Sequence, residues 1–578
     1  MKGLSLLAFA SLAQASIDSF AAIGKPDSQN VLQDHHVSHH SSSSRPNIVF
    51  ILVDDQDLQM DSLHYTPRIN HYLASQGAFY RNHFVTTALC CPSRVSLWTG
   101  KQAHNTNVTE IYPPYGGYPK FVAEGHNENW LPLWLQAAGY STYYTGKLFN
   151  AHTVDNYNAP FVTGFNASDF LLDPYTYQYL RPHYQRNQDP PTSYEGQHTV
   201  EVLTKKALGF LDDAIAGDEP FFLTVAPVAP HSNLNMTDET DTTTFRFSPP
   251  IPLDKHKHLF QDAQIPRTPN FNPDHPSGVS WVRSLPQLRS LQGVDELVEE
   301  IVLRLDDAGI LDNTYIFYTS DNGYHIGQHR LHPGKECGFD EDIRVPMFVR
   351  GPGVPRGVEV SAVTTHIDLA PTILDIVGGE AEGELDGVAI PLTTKDIHAA
   401  DMDGGRHEHV NVEYWGWAGF EGAFGRDENG GPATFINNTY KALRLISSDF
   451  NLYYSVWCSG EHELYDLTTD PYQLHNLYPN LAASKIGSYS AVKISTRLDA
   501  LLMVLKSCKG DTCIQPWRTL HPYGDVHSLL DALDDTFDAF YVRQVRVQFG
   551  WCEHGYLLEA EGPQVPLAYR HTRWSDWV

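Results

Sequence analysis

The chain has 578 residues, too many for one compact core, so two domains are expected. Its 69 acidic and 40 basic side chains leave a formal net charge of −29, which excludes a general nucleic-acid binder. With that overall field, any anionic substrate must be drawn by a local basic pocket.

In chain order, Met1 to Ser16 reads as a secretory signal, assigned to residues 1–15. Lys2 gives a positive start, Leu4 to Leu12 a short apolar stretch, and Ala13-Gln14-Ala15 a small-residue cleavage site. Residues 16–44, with a His-rich tract and four serines, read as a disordered leader. From Arg45 strands and helices alternate. Asn47 to Val53 is a continuous apolar run, as in a buried parallel strand. Pro67 to Ser75 reads as a helix, as does Trp130 to Ala138, which Gly139 caps; a strand follows at Ser141 to Tyr144. Helix and strand recur at Gln197 to Ile215 and Phe221 to Val225, and at Val294 to Ala308 and Thr314 to Ser320. Pro346 to Arg350 and Leu369 to Val377 give one more strand and helix. This alternation predicts an α/β domain with a mainly parallel sheet over residues 45–400. Asp401 to Gly431, rich in Gly and polar residues, reads as a boundary. Short alternating runs at Lys441 to Ile446 and Leu452 to Trp457, then a helix at Thr496 to Lys506, predict a smaller α+β domain over 401–578 with an antiparallel sheet. No segment has about 18 consecutive apolar residues, so no membrane anchor is expected.

Four N-x-S/T sequons start at Asn107, Asn166, Asn235 and Asn437 and fit a secreted or luminal glycoprotein. Of seven cysteines, Cys508 and Cys513 form the best local disulfide pair. Asp54-Asp55 ends the first strand and Asp321-Asn322 ends Thr314 to Ser320. In open α/β sheets, sites gather at such carboxyl ends. Three carboxylates and an amide oxygen make a hard-oxygen site, suited to Ca²⁺ or, second, Mg²⁺. Pro92 suits the first turn of a helix, which puts Cys90 at a helix N-terminus, where an anion is favoured. Arg94 and Lys101 are expected to add positive charge nearby.

The string Cys90-Cys91-Pro92-Ser93-Arg94, continuing to Thr99-Gly100-Lys101, resembles the C-x-P-S-R…T-G-K signature of the type I sulfatases. The resemblance implies an alkaline-phosphatase-like α/β fold and a sulfuric ester hydrolase. It implies that Cys90 is converted to formylglycine by a formylglycine-generating enzyme before folding completes. It also implies one calcium ion on Asp54, Asp55, Asp321 and Asn322, with the residue at position 90 in its shell. The hydrated aldehyde carries two hydroxyls, one to attack sulfur and one to expel sulfate. With the nucleophile modified, six cysteines remain, an even number able to pair.

Ala229-Pro230-His231 resembles the family's A-P-H segment and makes His231 the acid for the leaving oxygen. Gly146-Lys147 and Lys335 resemble its active-site lysines. Where many arylsulfatases have a histidine two residues after the first lysine, this chain has Phe149 and then Asn150, as in the N-acetylglucosamine-6-sulfatase branch. His325, in G-Y-H-I-G-Q, is the expected substitute, with Asn150 also facing substrate. Glu463-Leu464-Tyr465-Asp466-Leu467 resembles the family's C-terminal segment. The expected substrate is a small-molecule or sugar sulfate ester, and neither nucleic acid nor membrane is an expected partner. The other readings are a sugar sulfatase, a phosphate or phosphonate ester hydrolase, and a binding protein that keeps Cys90 as a thiol.

Overall fold

The computed structural model describes residues 45–238, 245–259, 266–275, 277–283, 295–402, 406–419, 421 and 434–570. The stretches read as a signal and a leader lie outside these residues. At the centre is β1 (Asn47–Val53), whose apolar run is buried on both faces. It pairs in parallel with β7 (Phe221–Ala226) on one side and β8 (Thr314–Ser320) on the other. The remaining strands of this sheet are β2 (Ala78–Tyr80), β3 (Ser141–Lys147), β4 (Ala167–Leu171), β5 (His183–Arg186), β6 (Thr192–Ser193), β9 (Met347–Arg350) and β10 (Val358–Val360). Their order is β10-β2-β9-β8-β1-β7-β3-β4-β5-β6. The middle, from β8 through β4, is parallel, and antiparallel pairings occur only outside it.

Helices cover both faces. On one, α1 (Cys90–Thr99), α2 (Leu131–Ala137) and α5 (Leu369–Val377) pack on Phe50, Phe222 and Phe317. On the other, α3 (Thr199–Ala216) and α4 (Glu296–Asp307) cover Val49, Ile51 and Leu223. Alternate residues of β1 thus feed opposite cores, as the two-residue period of a strand requires. Every residue of α1 is buried, which explains why its sequence lacks the polar stripe of a surface helix.

The second sheet is antiparallel, in the order β11 (His409–Tyr414), β12 (Tyr440–Ile446), β13 (Asn451–Trp457), β14 (His462–Asp466). One face takes α6 (Ala491–Leu505) on Leu443, Tyr454 and Leu464. The other packs Val412, Ala442 and Tyr453 against Phe84, Ala88 and Leu89, the residues leading into α1. Strand β11 lies inside the segment read as a boundary. Its polar His409, Asn411 and Glu413 are buried in hydrogen bonds, so composition does not reveal the strand. Among the described residues no helix is long and apolar enough to cross a membrane.

Candidate active site

The pairing of β1 with β8 sets Val53 opposite Ser320, so the next residues, Asp54 and Asp321, leave the sheet side by side. The Asp321 N–H donates to Val53 O (3.1 Å) and the Asp55 N–H to Asp321 Oδ1 (3.2 Å). Asp55 has φ 66°, a left-handed turn that an aspartate tolerates better than most side chains. Cys90 opens α1 beside them, 2 % exposed, with Sγ 3.5 Å from Asp54 Oδ1. The ligand atoms of Asp54, Asp55, Cys90 and His231 all lie within 4.8 Å of one another. Asn322 donates its Nδ2 to Asp55 Oδ1 (2.7 Å), while its own Oδ1 is buried without a hydrogen-bond partner. A buried unpaired amide oxygen beside carboxylates fits a hard divalent cation, so this donor set suits the expected ion.

Three cations surround the carboxylates. Arg94 sends Nε to Asp321 Oδ2 (2.8 Å) and Nη1 to Lys147 O (2.6 Å), which ties α1 to the ends of β8 and β3. Its Nη2 has no hydrogen-bond partner. Lys147 Nζ contacts Asp54 Oδ2 (2.6 Å) and lies over the Tyr177 ring, 4.9 Å from its centroid. Gly146 precedes it at φ 108°, where an added Cβ would sit 2.0 Å from Ala226 O; only glycine lets the chain turn there. Lys335 Nζ contacts Asp55 Oδ1 (2.7 Å) and Glu421 Oε1 (3.1 Å). Burial raises the Asp54 carboxyl, but Lys147, His231 and Arg94 outweigh it and hold the pKa below the ordinary value. Burial works against the Lys335 charge, yet Asp55, Cys90 and Glu421 raise its pKa well above normal. Burial also drives the Cys90 thiol well up, despite Lys147 and Lys335. A neutral thiol is a poor nucleophile.

His231 follows the Ala229–Pro230 bond, which is cis. Its Nδ1 donates to Ser232 O (2.8 Å), and its ring stacks on Tyr177 at 4.0 Å. Those two contacts aim Nε2 between Asp55 Oδ2 (3.6 Å) and Glu421 Oε1 (3.7 Å). Asn150, also buried, donates Nδ2 to the Tyr177 hydroxyl (2.8 Å) and leaves Oδ1 unpaired. Phe149 is core, 4.6 Å from Phe121 between ring centroids, so the missing histidine has been replaced by an aromatic packing residue. His325 is buried with Nδ1 on Asp342 Oδ1 (2.7 Å). Asp342 Oδ2 accepts the Cys337 N–H (2.9 Å), so His325 braces the strand of chain that carries Lys335.

The structure does not bring Lys101 to this cluster. It follows Gly100, the C-terminal cap of α1, and so lies about 15 Å from Cys90 along the helix. Nor do all six remaining cysteines pair. Cys508–Cys513 forms as expected and Cys458–Cys552 joins it, but Cys91 and Cys337 are buried free thiols. Asn166, Asn235 and Asn437 are exposed and Asn107 is half-buried. Tyr177 and Glu421 were absent from the sequence reading. Tyr177 sits in an aromatic-rich stretch of sequence and Glu421 in a Gly-rich one, and no spacing marks either.

Comparison with known proteins agrees with this geometry. The Sulfatase family model matches residues 46–379, and the family described as N-sulphoglucosamine sulphohydrolase, C-terminal, matches 327–499. An arylsulfatase of Volvox carteri is 38% identical over 547 residues, covering 89% of this chain and 82% of its own. The N-acetylglucosamine-6-sulfatase of Capra hircus is 31% identical, covering 82% of this chain and 86% of its own. The solved structure of BT4656 in complex with its substrate D-glucosamine-2-N,6-O-disulfate has the same fold, with a TM-score of 0.59 and 20% identity over 79% of this chain and 97% of its own. With a strand-end carboxylate cluster, a helix-borne Cys90 and these matches together, the chain belongs to the sulfatase family and is a sulfuric ester hydrolase.

Proposed function

We propose a secreted, calcium-dependent sulfatase of the arylsulfatase type whose nucleophile is formylglycine made from Cys90. The observation that carries this reading is the position of Cys90: buried, first in α1, and 3.5 Å from an aspartate of the cation site. Formylglycine there, as its hydrate, would supply one hydroxyl to attack sulfur and a second to release sulfate. Asp54, Asp55, Asp321 and Asn322 would hold the calcium ion, which adds positive charge beside the sulfate oxygens.

The chain's own residues do the rest. Lys147 and Lys335, whose ammonium groups meet Asp54 and Asp55, are placed to gather the sulfate oxygens as charge shifts. Arg94 holds Asp321 and the Lys147 carbonyl in register, and its Nη2, which makes no hydrogen bond and lies 3.9 Å from Asp54 Oδ2, would serve the same oxygens. His231 keeps its Nδ1 proton on Ser232 O, so the proton delivered to the leaving oxygen comes from Nε2. Asn150, fixed on the Tyr177 hydroxyl, would offer its Oδ1 to substrate, and His325 steadies the segment that carries Lys335. The exposed sequons and two disulfides support an oxidising, glycosylating compartment.

The test is a peptide mass over residues 82–94 of the active protein. The expected result is an aldehyde at position 90, captured by a hydrazide, with Cys91 unchanged; an active protein with an intact Cys90 thiol would overturn the reading. A sugar-sulfatase reading is favoured by one observation, the Phe149-Asn150 pair with Asn150 on Tyr177. Turnover of N-acetylglucosamine 6-sulfate against 4-nitrophenyl sulfate decides between them.

A further inference from the structure

Three carboxylates of the pocket, Asp54, Asp55 and Asp321, belong to the oxygen set of the cation. Glu421 does not. It comes from the chain beyond β11, where its N–H donates to Pro333 O (2.7 Å) and so pins it beside Lys335. Its Oε1 lies 3.1 Å from Lys335 Nζ and 3.7 Å from His231 Nε2, and its Oε2 3.4 Å from the Tyr324 hydroxyl. A carboxylate among groups that gather an anion opposes binding of every anion, but not of every anion equally. Coulomb energy scales with the product of the charges. A sulfate monoester carries one negative charge, whereas a phosphate monoester carries close to two above pH 7. The Glu421 charge therefore penalises the phosphate monoester about twice as much.

We propose that Glu421 is a specificity-determining residue that favours singly charged sulfate esters over doubly charged phosphate esters. This deepens the sulfatase reading and rests on it. The test uses Glu421→Gln, which removes the charge and keeps the shape. Its substrates share one leaving group: 4-nitrophenyl sulfate, 4-nitrophenyl phosphate and the singly charged 4-nitrophenyl phenylphosphonate.

The expected result is a phosphate-to-sulfate ratio of kcat/KM that rises about tenfold, the effect of roughly one charge contact at a partly screened site. The phosphonate-to-sulfate ratio should stay constant, and Glu421→Asp should restore the original preference. Ratios measured on one preparation do not depend on the folded fraction. If phosphate turnover is too slow to read, competitive inhibition by phenyl phosphate reports the same preference, with Ki falling about tenfold. An unchanged phosphate ratio, or a phosphonate ratio that rises with it, overturns the role of Glu421 while leaving the sulfatase reading intact. A wild-type protein without sulfate-ester turnover overturns both.

Discussion

Two buried clusters of opposite charges among the described residues do different work. Behind the pocket, Glu413 of β11 accepts from the His104 backbone and ring (both 2.9 Å) and from Lys441 Nζ (2.9 Å). His104 Nε2 meets Cys508 O (2.8 Å), Lys441 lies 4.0 Å above the Trp415 ring, and Lys506 donates to Pro563 O (3.0 Å). Asn411 Oδ1 and Glu561 Oε2 of that cluster are buried without hydrogen-bond partners, the Glu561 oxygen meeting Lys441 and Lys506 only as ion pairs at 3.7 and 3.5 Å. In the pocket, Arg94 Nη2, Asn150 Oδ1 and Asn322 Oδ1 are likewise buried without hydrogen-bond partners, but they gather around Cys90. Similar side chains thus serve a joint in one place and a receptor in the other. What separates the two is placement: the pocket's carboxylates leave the ends of β1 and β8 beside Cys90, whereas Glu413 ties β11 to His104 and to Lys441 of β12.

Substitutions should divide along the same line. Cys90→Ser removes the proposed site of the aldehyde from the pocket. Steady-state turnover should fall on the order of 10⁴-fold or more while the melting temperature holds, because the side chains differ little in size. Normal turnover by this variant would end the formylglycine mechanism. His231→Ala should cost about 10²–10⁴-fold on an alkyl or sugar sulfate and far less on an activated aryl sulfate, whose leaving group barely needs a proton. Equal losses on both esters would make His231 a binding residue.

The second cluster should respond in stability. Glu413→Ala strands buried positive charge and should cost about 3–5 kcal/mol in urea unfolding, with kcat per folded molecule unchanged. Burial raises the Glu413 carboxyl, but His104 and Lys441 prevail and hold it at about 2, below its ordinary 4.5. A depressed acid stabilises the fold above its unfolded pKa, so this contribution is full above about pH 4.5 and fades as pH falls towards 2. The variant should lose that acid-side slope. The smallest effect is expected for Tyr177→Phe, which keeps the stack on His231 and drops one hydrogen bond to Asn150. A few-fold loss in kcat/KM corresponds to about 1 kcal/mol; a loss near that of His231→Ala would show that the hydroxyl itself takes part.

The core of the site was legible because its residues sit where regular structure ends. Asp54-Asp55 and Asp321-Asn322 close two apolar runs, and Cys90 to Arg94 opens a helix after them, so chemistry and periodicity mark the same positions. The parallel centre of the sheet was legible for the same reason. Short strands such as Ala78–Tyr80 carry too few residues for a period, and β11 hides its polar residues in partners far along the chain. Lys101 was misplaced because the motif is continuous in sequence while its helix carries the two ends apart. Glu421 reaches the pocket only through tertiary contacts with Pro333 and Lys335, which no local pattern encodes.

The pairing of Glu110 with His554 (2.8 Å) spans 444 residues. A ribosome adding about 5–20 residues per second needs roughly 20–90 s to cover that interval. Cys90 emerges before Glu110, whereas the β12 residues that pack behind α1 and the His554 segment come much later. The thiol that ends up sealed in the folded protein is therefore displayed first on an unfinished chain. On the proposed mechanism that interval would give a modifying enzyme a clock set by translation, and codons that slow or hasten synthesis beyond position 90 should then change the fraction of chains that carry the proposed aldehyde.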